Sequence, residues 1–180
     1  MKLLKTLERF GPKAKNSILA VMIFCRIGIS VLIRGLLLDT NVVGEMSRAD
    51  GDTVVHRWTM DVDLEHLFVS TISLSELAYG VAGLMTGRKK LVLETWFVSL
   101  REKFSGRIIN FDLEAALIWG ELRAMMRAKG KERPMIDLQI AAIAIRHNFA
   151  IATGNTKHFE GLGLTLINPW TKEVSTRSQE

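Results

Sequence analysis

The chain has 180 residues, 48% of them hydrophobic and 24% charged, which fits one domain with an ample core and excludes wholesale disorder. Three prolines, 14 glycines and the single Cys25 exclude collagen-like chains, a disulfide framework and a cysteine-rich zinc site, and point to a reduced, cytoplasmic setting. The net charge of +5 is uneven: residues 1–34 carry seven basic groups against one acid, so the rest, with 17 basic and 18 acidic groups, is close to neutral.

Residues 1–35 form a basic and apolar N-terminal extension. The apolar stretch 18–33 is like a signal or anchor segment, but Arg26 divides it into halves well short of the roughly 20 residues that span a bilayer. An arginine at the centre of such a helix costs about 2.5–3.5 kcal/mol on insertion scales. An extension, or a translation start nearer Met22 or Val31, is therefore preferred to an amphipathic surface helix. A true anchor comes last, and no membrane partner is expected.

From Leu36 onward short apolar runs alternate with longer helical periods. The pattern predicts a buried strand over 36–39, a short helix or turn over 42–46, a helix over 53–61 and a strand over 66–70. A helix follows over 74–84, with Leu77, Ala78, Val81 and Leu84 on one face, then another over 90–104 that Gly106 ends. A strand over 107–111 leads into a long helix from Asp112 to about Lys129, stopped at Gly130. Pro134 opens a very apolar helix that runs through His147. Strands over 149–152 and 164–167 close a domain spanning 36–170, and the polar tail 171–180 is expected to fray. Strands joined by helical crossovers imply an α/β fold with a mostly parallel sheet, whose ligands sit outside the carboxyl ends of the strands.

Three acids fall at that edge. Asp39 ends the first strand in Leu-Leu-Leu-Asp39-Thr40-Asn41, Glu76 lies early in the helix after the second strand, and Asp137 lies near the start of the apolar helix. Each has a structural explanation alone: a cap for Asp39, a Ser73-x-x-Glu76 capping box, and a favourable helix dipole for Asp137. Together they would repel one another and take up protons unless a cation lay between them. Oxygen donors of this kind suit hard divalent ions such as Mg²⁺ or Mn²⁺.

The ordered set Leu38-Asp39-Thr40-Asn41, Ser-Leu-Ser-Glu76-Leu-Ala-Tyr-Gly, Pro134-x-x-Asp137-x-x-Ile-Ala-Ala and Ala-Thr153-Gly-Asn155-Thr-Lys-His158-Phe resembles a PIN-domain ribonuclease of the VapC/FitB toxin type. The resemblance spans roughly residues 36–170. It implies a five-stranded parallel sheet flanked by helices, a homodimer, and a small cognate antitoxin whose C-terminal part covers the active site. DNA is then met only through the antitoxin. It also implies Mg²⁺- or Mn²⁺-dependent cleavage of RNA, in which the ion acidifies a water and neutralises charge at the scissile phosphate.

The family's three principal acids fall on Asp39, Glu76 and Asp137, the metal ligands this resemblance implies. Asn155 stands at its fourth acidic position, as in the FitB type; its amide brings no negative charge, which argues against a tightly held second ion. Thr40 and Asn41 match the first motif and are expected to orient Asp39. Arg123, Arg127, Lys129, Lys131 and Arg133 form a basic stretch before Asp137, and Arg88, Lys89 and Lys90 form another. Either contacts RNA phosphates or is simply a solvated helix end. Trp58, Trp96, Trp119 and Trp170 read as core or interface anchors, and His158 as a packed or surface residue.

Other chemistries fit less well. A haloacid-dehalogenase-like phosphatase needs a second Asp where Asn41 stands, and neither a GxGxxG nor a GxxxxGK[ST] loop follows the first strand. The alternative from a different class is a non-catalytic partner that binds its antitoxin within an operator-bound repressor complex.

Overall fold

A computed structural model describes residues 33–48 and 50–175. Most of the N-terminal extension, with Cys25, Arg26 and both suggested start sites, lies outside the described residues. Strand β1 (Gly35–Leu38) is followed by α1 (Thr40–Met46), α2 (Thr53–Asp61), a 3₁₀ turn (Leu64–His66) and β2 (Leu67–Ser70). Then come α3 (Thr71–Ala82), α4 (Arg88–Lys103), β3 (Ile108–Ile109), α5 (Leu113–Ala128) and α6 (Met135–His147). The chain continues through β4 (Phe149–Ala152), α7 (Thr156–Phe159), β5 (Leu166–Ile167) and β6 (Val174–Ser175). The packed domain reaches back to Ile33, which is buried, while the Arg34 amide donates to the Asn148 carbonyl.

The sheet order is β3-β2-β1-β4-β5-β6, with the first five strands parallel as expected and β6 antiparallel at the edge. This sixth strand corrects the reading of the tail. Val174 pairs with Ile167 across a turn in which the Asn168 side chain accepts from the Trp170 amide, so a polar sequence still closes the sheet edge.

A parallel sheet must be covered on both faces, and β1 shows how four residues serve both. Leu36 and Leu38 face Val42, Val43, Val55, Trp58, Leu100 and Phe104, whereas Leu37 faces Ile140, Ile143, Leu138 and Met126. Gly35 allows the tightest contact: a Cβ there would lie 2.5 Å from the Phe68 ring, which is itself stacked on Phe149 with centroids 4.5 Å apart.

Helix starts carry their own caps. Asp112 accepts from the Ala115 amide and Asp52 from the Val54 amide. The capping box expected at Ser73 is not formed; the helix begins three residues earlier because Ser70, at the end of β2, accepts from the Ser73 amide. Glu76 is thereby moved from the first turn of α3 to the second. Strands β3 and β5 are shorter than their apolar runs suggest, and α7 is a helical turn the periodicity does not reveal.

Candidate active site

The strand order reverses between β1 and β4, and in open α/β sheets ligands bind in the crevice outside the carboxyl ends of the strands at such a point. Asp39 and Thr153 stand at that point, each one residue beyond its strand, and the Asp39 amide donates to the Ala152 carbonyl at 3.0 Å. Helix α3 leaves the same edge from β2 and brings Glu76. Helix α6 runs back against the strands, so its first turn, with Asp137, lies at this edge too.

Asp39 is 4% exposed and caps α1, which joins the structural and the functional readings in one carboxylate. Its Oδ1 accepts from the Thr40 amide at 2.7 Å; its Oδ2 accepts from Asn41 Nδ2 and from Thr153 Oγ1, both at 2.7 Å. Burial pushes the Asp39 carboxyl up to about 6; the Thr153 and Thr40 hydrogen bonds oppose this, and the charges of Asp137 and Glu76 reinforce it. Glu76 is tied to the residue that follows Asp39, and Asp137 opens the helix that leads back into β4, so all three stand at one edge of the sheet.

Thr40 holds Glu76 through a short hydrogen bond from its hydroxyl to Oε2, so Thr40 orients Asp39 by its backbone and Glu76 by its side chain. Asn41 orients Asp39 through Nδ2 while its Oδ1 accepts from the Gly154 amide. Asp137 is half-buried and raised above the ordinary carboxylate range by that burial, with His158 pulling it back down from 2.8 Å.

Two residues matter more than their sequence context indicates. Thr153 is buried and its hydroxyl links Asp39, Asn41 and the Asn155 amide. His158, expected as a packed or surface residue, points Nδ1 at Asp137 Oδ2 from the turn of α7. Their spacing from the sheet edge within Ala-Thr-Gly-Asn-Thr-Lys-His-Phe was the available signal. Gly154 is required between them, since a Cβ would meet the Trp170 ring at 2.8 Å. Asn155 is exposed at the rim.

The donor set fits a divalent cation in chemistry: three carboxylates, one deeply buried and destabilised in its charged form by the others. Their oxygens do not all come within 4.8 Å of one another; among the described residues only Asp63, Glu65 and His66 do so. That group precedes β2, at the amino-terminal edge of the sheet, away from the crevice.

Of the five basic residues before Asp137, Arg123, Arg127 and Arg133 line one cleft, and Lys129 and Lys131 do not. Lys90, in the other basic stretch, reaches the carbonyls of Ala82 and Leu84 at 3.3 Å and so finishes the end of α3. Trp58 is buried in the core, Trp96 and Trp170 pack against it, and Trp119 meets Phe111 edge-on. Among the described residues no helix is long and apolar enough to cross a membrane.

The PIN domain family matches residues 36–162 of the chain. Toxin FitB of Neisseria gonorrhoeae is 38% identical over 136 residues, covering 75% of this chain and 98% of that protein. VapC ribonuclease Y4jK of Sinorhizobium fredii is 35% identical over 136 residues, covering 75% of this chain and 97% of that one. The crystal structure of FitAcB from Neisseria gonorrhoeae superposes with a TM-score of 0.71 at 38% identity, over 75% of this chain and 98% of that chain. A solved structure of FitAB bound to a DNA fragment gives the same TM-score at 37% identity, over 75% of this chain and 95% of that chain. With the sheet order, the acidic crevice and these relatives in agreement, the chain belongs to the PIN-domain family and is a homologue of the VapC and FitB toxins.

Proposed function

We propose that the chain is the toxin of a type II toxin–antitoxin pair and that it hydrolyses RNA phosphodiester bonds with Mg²⁺ or Mn²⁺. The observation that carries this reading is the convergence of Asp39, Glu76 and Asp137 at the β1/β4 crevice, with Asp39 buried and raised to about 6. Asp39 and Asp137 would hold the ion, and Glu76 would join directly or through water. Bound there, a divalent cation supplies Lewis-acid activation of a water and charge neutralisation at the scissile phosphate.

The chain's own residues do the rest. Thr153, Asn41 and the Thr40 amide fix Asp39 in rotamer, the Thr153 and Thr40 bonds offsetting part of the burial that raises it, while the Thr40 hydroxyl fixes Glu76. His158 holds Asp137 against the upward pull of burial. No serine or cysteine nucleophile is needed. Asn155, at the exposed rim, adds a neutral carbonyl oxygen and supports a single principal ion.

Partners follow the relatives' names. A small antitoxin and DNA contact through that antitoxin are proposed here on the precedent of FitAB bound to DNA, and a homodimer on the family resemblance. Exposed apolar side chains support such partners: Leu113 and Leu117 on α5, Tyr79 on α3, Leu91 and Val92 on α4, and Met85 in the connection between α3 and α4. The test is induction of the wild-type chain and of Asp39→Asn, with sequencing of cellular RNA 5′ ends. New ends that appear with the wild type and are missing with the variant support the nuclease; identical end profiles leave the non-catalytic antitoxin partner as the better reading.

A further inference from the structure

The cleft between the end of α5 and the start of α6 has a composition that a plain phosphate site does not need. It measures 610 Å³ and is lined by Arg123, Arg127 and Arg133, by Met126, Met135 and Leu138, and by one acid, Glu132. That volume lies in the range of about 300–1,000 Å³ typical of ligand-sized clefts. The lining combines apolar side chains with guanidinium donors. Arg133 Nε is enclosed and has no hydrogen-bond partner. Arg123 lies over the face of Trp119 at 4.9 Å, which sets its guanidinium plane.

Phosphate oxygens would be served by the arginines alone, and Glu132 would repel them. A nucleobase with acceptors on one edge and donors on the next satisfies both kinds of wall. Guanine presents O6 and N7 to an arginine fork, and N1–H and N2–H₂ to a carboxylate. Unpaired RNA bases are read in this way, on both edges, with a guanidinium plane or apolar side chain against the ring. Met135 and Leu138 share the first turn of α6 with Asp137, which does not itself line the cleft.

We propose that this cleft is a base-reading subsite that selects an unpaired guanine in the RNA substrate. The assignment rests on the reading of the chain as an RNA-cleaving enzyme. Arg133 and Glu132 make the reading contacts, Arg123 supplies the stacking plane, and Arg127 balances the neighbouring backbone charge.

Two measurements on the full chain separate this subsite from the activity. In EDTA, labelled single-stranded RNA octamers differing at one position as G, inosine, A, C or U are titrated by fluorescence anisotropy. The wild type is expected to prefer guanine about tenfold over adenine, with inosine between them because it lacks the N2 amine. Glu132→Gln, an exposed and structurally mild change, and Arg133→Lys, which keeps the charge, each reduce that preference to less than twofold. Equal binding of all five octamers, a preference for cytosine, or a guanine preference untouched by both variants overturns the subsite. The same octamers are then incubated with Mn²⁺. Cleavage without guanine bias overturns the subsite and leaves the nuclease standing; a wild type that neither binds nor cuts any octamer overturns both.

Discussion

Thr153 donates its hydroxyl proton to Asp39 Oδ2 at 2.7 Å across a buried contact between residues 114 apart in the chain. That bond joins the ends of β1 and β4 at the point where the sheet order reverses. The same hydroxyl accepts from Asn41 Nδ2 at 3.1 Å and from the Asn155 amide at 2.9 Å. One side chain therefore sets the acid, its neighbour and the loop carrying His158. Thr153→Val keeps the shape and removes the hydroxyl, leaving buried polar groups unpaired. A loss of about 1–3 kcal/mol in urea unfolding is expected, with weaker Mn²⁺ binding by calorimetry.

Asp39 also makes the stability depend on pH. Its carboxyl is raised from 3.8 to about 6 in the folded chain, so between these values the native state holds a proton that the unfolded chain has released. Stability then falls as pH rises from about 4 to about 6, by about 3 kcal/mol in all. The metal-free protein should melt at a lower temperature at pH 7 than near pH 4.5. Asp39→Asn should flatten this slope and raise the melting temperature of the metal-free protein at pH 7. Unchanged slopes in wild type and variant would show that Asp39 is not the buried, repelled group described above.

His158 acts on Asp137 in the opposite sense to burial, which is the larger influence. His158→Ala should let the Asp137 carboxyl rise further. The acid limb of the pH–rate profile for RNA cleavage should move to higher pH, while activity well above that limb changes less. A uniform loss at every pH, with no movement of the limb, would assign His158 a different task.

Gly154 sits against Trp170 with no room for a side chain. Gly154→Val should displace the Trp170 ring or the loop bearing Thr153 and Asn155. The expected result is a stability loss of about 1–3 kcal/mol from overpacking, together with a fall in activity. Gly120→Ala is the comparison, since an added Cβ meets nothing within 4 Å there and a helix interior favours alanine.

The chain's periodicity made the central elements legible because they are long or wholly apolar. The three leucines before Asp39 and the run from Leu138 to Ile145 could belong only to buried elements, and α2 and β4 fall where the pattern puts them. Asp39 and Asp137 stand out because one follows a strand and the other opens a helix, whereas Glu76 lies in the second turn of α3. The short strands were less legible: two residues of β5 or β6 carry no period, and the Val174–Ser175 pair within a polar tail is held by its neighbour rather than by its own composition. The Ser73 box misled because Ser70 offers an equivalent hydroxyl three residues earlier. Thr153 and His158 owe their importance to contacts with residues far away in sequence, and their own motif marks the sheet edge without naming those partners.

The central claim is that Asp39 works within a cation-dependent RNA-cleaving site. The most direct measurement is cleavage of a defined single-stranded RNA by the purified chain in Mn²⁺, with and without excess EDTA, beside Asp39→Asn shown to be folded by circular dichroism. Cleavage by the wild type that EDTA abolishes is expected, with a loss of about a hundredfold or more in the folded variant. Cleavage that persists in EDTA, or a variant as active as the wild type, would contradict the claim.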